Sequence, residues 1–383
     1  MKVKLGDIFE ISSGGTPSKS CPEYYGGDVP WVKTGDLKSE YIYGVADFIT
    51  EDGLRNSSAK MYEEDTVLMA MYGATIGATS ILKISACTNQ ACAAFRRNDK
   101  VIPEYLYYFL KSQKEKFVKD GVGGAQPNIS AGYLKKVEME LLLIKEQRIV
   151  VDILDKITNI INRRNQELIA LDELIKARFV EMFGDNDKKV AISSLCDVSG
   201  GYSFKSEDIS SKGFIKILQI GNVYLDDVNW ETTNYLPKGF DNVYSRFLLN
   251  EGDIVIALTR PIIQSLGNVK ACIVKASDTP CLLNQRVGRI VSKKNVDVNL
   301  KFIYGCLMTD DFTRYVESCC IGCSQPNIST KDIENYMIPD ASYEKKMDFV
   351  KFKEQVDKSK VAVQKALDET QLLFDSLMQQ YFG

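Results

Sequence analysis

The chain has 383 residues, 45% hydrophobic and 26% charged, which fits two or three soluble domains of roughly 150 residues and excludes a disordered or fibrous protein. Lys and Arg total 48 against 51 Asp and Glu, a net charge of −3, so contact with a polyanion has to come from local patches. No His is present, which excludes histidine-based triads and removes the commonest zinc ligand.

The start, Met1-Lys2-Val3-Lys4-Leu5-Gly6-Asp7, is charged too early for a signal peptide's apolar core, and no membrane-spanning apolar run follows, so a cytoplasmic protein is expected. Residues 1–144 alternate short β-branched or aromatic runs, such as Thr66 to Met71, with Gly- and Asn-rich turns, plus a helical stretch near Pro103 to Lys119. They are expected to form one α+β globule. Residues 145–185 contain no Pro and carry dense charge around an apolar heptad stripe of Val150, Leu154, Ile157, Ile161, Leu168, Leu171, Ile175 and Met182, broken by Arg164 and Arg178. This predicts a long helix with one seam. Residues 186–342 return to the mixed pattern, with an apolar run from Asp253 to Leu258 and a helical stretch near Asn299 to Glu317. Residues 343–383 repeat the helical pattern with Phe349, Val356, Val363, Leu367, Phe374, Leu377 and Tyr381, interrupted by Lys353, Lys360 and Thr370. The cysteines are scattered apart from Cys319, Cys320 and Cys323, and a lone C-x-x-C falls short of a metal site. No metal is expected.

The order globule, helix, globule, helix reflects a duplication. Gln126-Pro127-Asn128-Ile129-Ser130 recurs as Gln325-Pro326-Asn327-Ile328-Ser329, and Phe183-Gly184 recurs as Phe382-Gly383, both displaced by 199 residues. Weaker echoes keep the same order. Trp31-Val32-Lys33-Thr34-Gly35-Asp36-Leu37 answers to Ile217-Leu218-Gln219-Ile220-Gly221-Asn222-Val223, and Asn89-Gln90 answers to Asn284-Gln285-Arg286. Two matched heptad helices in one chain are expected to pair as an intramolecular antiparallel coiled coil, a spacer for two similar reading heads on a long periodic ligand such as DNA. The alternative is that each helix simply packs on its own globule.

These motifs carry a resemblance. The Trp31 segment, Met69-Ala70-Met71-Tyr72-Gly73-Ala74-Thr75-Ile76-Gly77, Asn89-Gln90, and Gly124 to Ser130 leading to Glu146-Gln147 and a long helix resemble the specificity subunit of type I restriction-modification enzymes, twice over and in order. The resemblance implies two target-recognition domains, a helical spacer and no catalytic activity. It also implies double-stranded DNA as ligand, two methyltransferase subunits and, in a cleaving complex, restriction subunits as partners. No cofactor is implied in this chain; S-adenosylmethionine, ATP and Mg would belong to those partners. A departure is Thr259-Arg260-Pro261, which stands where the first copy has Tyr72-Gly73-Ala74, so different half-sites are expected.

Base readout in the major groove needs forked or amide side chains, and phosphate contact needs cations. The candidates in the first half are Lys33, Thr34, Asp36, Tyr72, Thr75, Asn89, Gln90, Arg96, Gln126 and Asn128. In the second they are Gln219, Asn222, Arg260, Gln264, Asn284, Gln285, Arg286, Gln325 and Asn327. The Gln-Pro-Asn element is the same in both copies and reads more readily as a structural turn, whereas Arg260 and Gln264 differ between copies and are better candidates for bases. Lys38, Arg97, Lys205, Lys216 and Arg289 are further phosphate candidates. Two rivals remain: a coiled-coil adaptor that binds protein without DNA affinity, and a metal-dependent nuclease built on Asp340 and Glu344, whose spacing is too short for neighbouring strands.

Overall fold

A computed structural model describes residues 1–121, 128–265, 267–320 and 326–383. The chain divides into two compact units, one formed by Met1–Asn165 with Gln364–Gly383 and the other by Gln166–Val363. Both are α+β. The long helices span Ile144–Phe183 and Tyr343–Phe382, 40 residues each, against the expected 145–185 and 343–383. Each helix therefore contributes one part to either unit, where the sequence suggested a helical region apart from the globules.

In the first unit, strand Lys2–Lys4 pairs antiparallel with Glu138–Glu140. The main sheet places Val67–Ala70 between Cys92–Phe95 and Thr79–Leu82. A second sheet places Tyr25–Val32 beside Ala86–Thr88. The second unit repeats the plan. Lys189–Ala191 pairs with Met337–Pro339, Ile254–Ala257 lies between Val287–Ser292 and Ala271–Ile273, and Ile215–Leu218 lies beside Cys281–Leu283. The central strands Val67–Ala70 and Ile254–Ala257 are buried at every residue, as continuous apolar runs require.

Within each unit the two long-helix segments run antiparallel on a shared core. In the second unit, Phe183 and Phe179 both meet the Phe349 ring, at 5.8 and 5.3 Å between centroids, while farther along Asp172 meets Lys360 at 2.6 Å. In the first, helix Pro103–Ser112 mediates: Tyr105 packs on Phe382, and Tyr108 packs on Phe374 and donates to Asp155 at 2.7 Å. No predicted seam residue is exposed. The seam is only one of two apolar faces, however. Phe179 and Phe183 lie off the stripe and pack on Phe302 of the globule, so helix pairing and packing on the globule, posed as alternatives by sequence, both hold within the unit.

Candidate nucleic-acid interface

Strand register gathers the candidate turns of each unit at one end. In the first unit, Tyr25–Val32 and Ala86–Thr88 are parallel, so Lys33 and Asn89 leave the sheet together, with the Asn89 N–H donating to the Val32 carbonyl at 3.0 Å. Val67–Ala70 and Cys92–Phe95 are antiparallel, which puts the exit of one beside the entry of the other; the Met71 N–H donates to the Ala91 carbonyl at 2.8 Å. Asn128 reaches the same end through a bridge with Tyr72, and the Ile129 N–H donates to the Met71 carbonyl at 3.0 Å.

The second unit makes the same three bonds. The Asn284 N–H donates to the Leu218 carbonyl at 3.0 Å, the Leu258 N–H to the Arg286 carbonyl at 3.0 Å and the Ile328 N–H to the Leu258 carbonyl at 2.9 Å. Asn327 bridges Thr259 as Asn128 bridges Tyr72. Gln219, Arg260, Asn284, Gln285, Arg286 and Asn327 are thereby brought together, and Gln264 follows Arg260 by four residues.

The candidates at these ends differ in exposure and in what already holds them; Gln90 Oε1, for one, accepts the Thr16 hydroxyl. Exposed are Tyr72, Gln90 and Asn128 in the first unit and Arg260, Gln264, Gln285, Arg286 and Asn327 in the second. Lys33 lies 2.6 Å from Asp47 and over the Trp31 ring, and its N–H donates to Asp36 Oδ2 at 2.8 Å, so this stretch is a braced turn. Thr34, half-buried, belongs to the same turn. The Thr75 hydroxyl donates to the Tyr72 carbonyl at 3.2 Å, and Asn89 Oδ1 accepts from the Ala91 N–H at 3.2 Å. Gln219 Oε1 accepts from Asn234 Nδ2 at 2.7 Å.

Three expectations need correcting. Asn222 is 2% exposed; its Nδ2 donates to the Asn229 and Thr232 carbonyls and its Oδ1 accepts the Gln219 N–H, leaving nothing for a base. Arg96 follows strand Cys92–Phe95 at the opposite end, with Nε 3.4 Å from Glu10 and Nη2 donating to the Met61 carbonyl. Arg289 is half-buried and held by the buried Asp253 carboxylate at 2.8 Å. Among the other cation candidates, Arg97 pairs with Asp65, Lys205 with Glu207, and Lys216 lies over Trp230. Gln126 and Gln325 lie outside the described residues, as does Cys323. Asp340 lies 3.9 Å from Lys346, and Glu344 lies in the first turn of the second long helix.

One cluster in the second unit escaped sequence reasoning. Asp226, in left-handed backbone at φ 62, receives the Tyr304 hydroxyl at 2.6 Å and Lys360 at 3.3 Å. Burial would raise its carboxyl, but Lys353 and Lys360, with that hydroxyl, outweigh burial and hold it below its ordinary value. The only sequence signal is the pair of lysines interrupting the seam.

The family model of the type I restriction modification DNA specificity domain matches residues 1–170 and again 185–370. The specificity subunit of type I restriction enzyme MjaVIII from Methanocaldococcus jannaschii is 27% identical over 356 residues, covering 88% of this chain and 81% of that one. The EcoAI specificity subunit of Escherichia coli is 33% identical over 150 residues, 39% of this chain and 24% of its own. A solved S subunit of the type I restriction-modification system from M. genitalium aligns over 100% of this chain and 96% of its own, at 16% identity and TM-score 0.54. A chain solved in work on complex assembly and conformational transition of the type I R-M system reaches TM-score 0.63 at 15% identity, over 100% and 97%. At these identities the structural likeness is one of fold.

Proposed function

Because the chain belongs to the type I restriction modification DNA specificity family, we propose that it is the non-catalytic subunit that chooses the DNA sequence for such an enzyme, each unit reading one half of a bipartite duplex target. The observation that carries this reading is the repeated end: the same three backbone bonds frame different side chains in the two units. A shared frame with variable tips is what reading two different half-sites requires.

Two methyltransferase subunits that hold S-adenosylmethionine are the proposed partners, joined in a cleaving complex by restriction subunits that use ATP and Mg. The chain itself takes no cofactor. Such work on host DNA places it in the cytoplasm, and no helix among the described residues is long and apolar enough to cross a membrane. With a net charge of −3, the isolated chain should bind DNA weakly and the complex tightly. Titrating duplex DNA into the complex with its methyltransferase at rising salt tests this. Affinity should fall steeply with salt, whereas affinity insensitive to salt would favour the protein-binding adaptor.

A further inference from the structure

Gly73 and Arg260 occupy one structural position in the two units. Each follows a residue bridged to an asparagine, Tyr72 to Asn128 and Thr259 to Asn327, on the turn that leaves the central strand. Both are left-handed, with φ 64 at Gly73 and 47 at Arg260. Glycine adopts this conformation freely, but a residue with a Cβ meets a steric penalty there. Space is not the obstacle, since a Cβ on Gly73 would meet nothing within 4 Å.

The second unit nevertheless places an arginine in this strained position and holds its backbone, the Arg260 N–H donating to the Pro326 carbonyl at 2.8 Å. The side chain is exposed, and its guanidinium has no ion-pair partner among the described residues. No ion pair among the described residues offsets the strain, and strain kept at such a residue points to a ligand. Beside it lies a cavity of about 430 Å³ walled by Pro261, Ile262 and Pro326, with Gln264 and Glu317 also lining it. A guanidinium fork matches guanine O6 and N7, and the apolar wall suits the edge of a neighbouring base.

We infer that Arg260 reads a guanine through the major groove in the half-site taken by the second unit, a contact that Gly73 cannot supply in the first. This rests on the DNA reading above. The test is sequence selection from randomised duplex DNA by the complex of this chain with its methyltransferase, comparing the natural chain with Arg260→Gly. One half-site should contain a guanine whose preference falls roughly tenfold in the variant, with the other half-site unchanged. The variant's melting temperature should hold or rise by roughly 2–4 °C as strain is relieved. Replacing that guanine by 7-deazaguanine, which lacks the N7 acceptor, should weaken binding of the natural complex and needs no variant. An unchanged preference, uniform weakening on all duplexes, indifference to 7-deazaguanine or a lowered melting temperature would each overturn the inference. A natural complex without any sequence preference would overturn the DNA reading itself.

Discussion

Arg289 and Asp253 show how a side chain that looks available in sequence is committed in three dimensions. Both are largely buried, 15% and 8% exposed, and Arg289 Nη1 also donates to the Leu248 carbonyl. Replacing Arg289 by Met leaves Asp253 buried without its partner and should cost about 3 kcal/mol or more in chemical denaturation, with the salt dependence of DNA binding unaltered. Asp226 yields a pH signature. Its carboxyl is held below the ordinary 3.8, so its contribution to stability is complete above that pH and is lost as pH falls through its lowered value. Asp226→Asn should therefore lower stability at neutral pH and make the acid limb of unfolding shallower. Residue types at the reading ends were legible because Gly, Pro and Asn mark the turns that carry them. The roles of Asn222, Arg96 and Arg289 were not, because their partners include Thr232, Glu10 and Asp253, which no local pattern connects to them.

The long helices were legible as elements because an apolar stripe spaced four and three, unbroken by Pro, has no other regular solution. Their second face was not. Phe179 and Phe183 form a four-ring cluster with Phe302 and Phe349, and that face exists only because helix Leu300–Leu307 packs there. The interrupting lysines also find their reason in tertiary structure: Lys360 reaches Asp172 and Asp226, and Lys353 pairs with Asp357 beneath Tyr304. Seam positions should differ in cost. Leu154 is 0% exposed within a core that includes Tyr108 and Phe374, so Leu154→Ala should cost about 3 kcal/mol, whereas half-buried Leu168 should cost roughly 1 kcal/mol. Equal denaturation midpoints for the two variants would contradict this gradient. Gly305 offers a packing test, since a Cβ there would come within 2.6 Å of Phe349 Cε1; Gly305→Ala should lower the melting temperature of the chain.

For the whole molecule, the duplication was the most legible feature, because a repeated sequence has to satisfy the same strand register twice. The two ends are framed alike by backbone hydrogen bonds and share Gln90 with Gln285 and Asn128 with Asn327, yet carry Tyr72, Gly73 and Ala91 in one unit where the other has Thr259, Arg260 and Arg286. Division of labour between the copies is thus a property of a few turn side chains on a common scaffold. The most direct measurement is base-resolution mapping of methylated sites in a host given this chain and its methyltransferase, first with the natural chain and then with residues 186–342 exchanged for the matching region of a relative. The prediction is a two-part motif in which the exchange rewrites one part and leaves the other intact. Methylation without a fixed motif, or an exchange that rewrites both parts or neither, would contradict the assignment of one half-site to each unit.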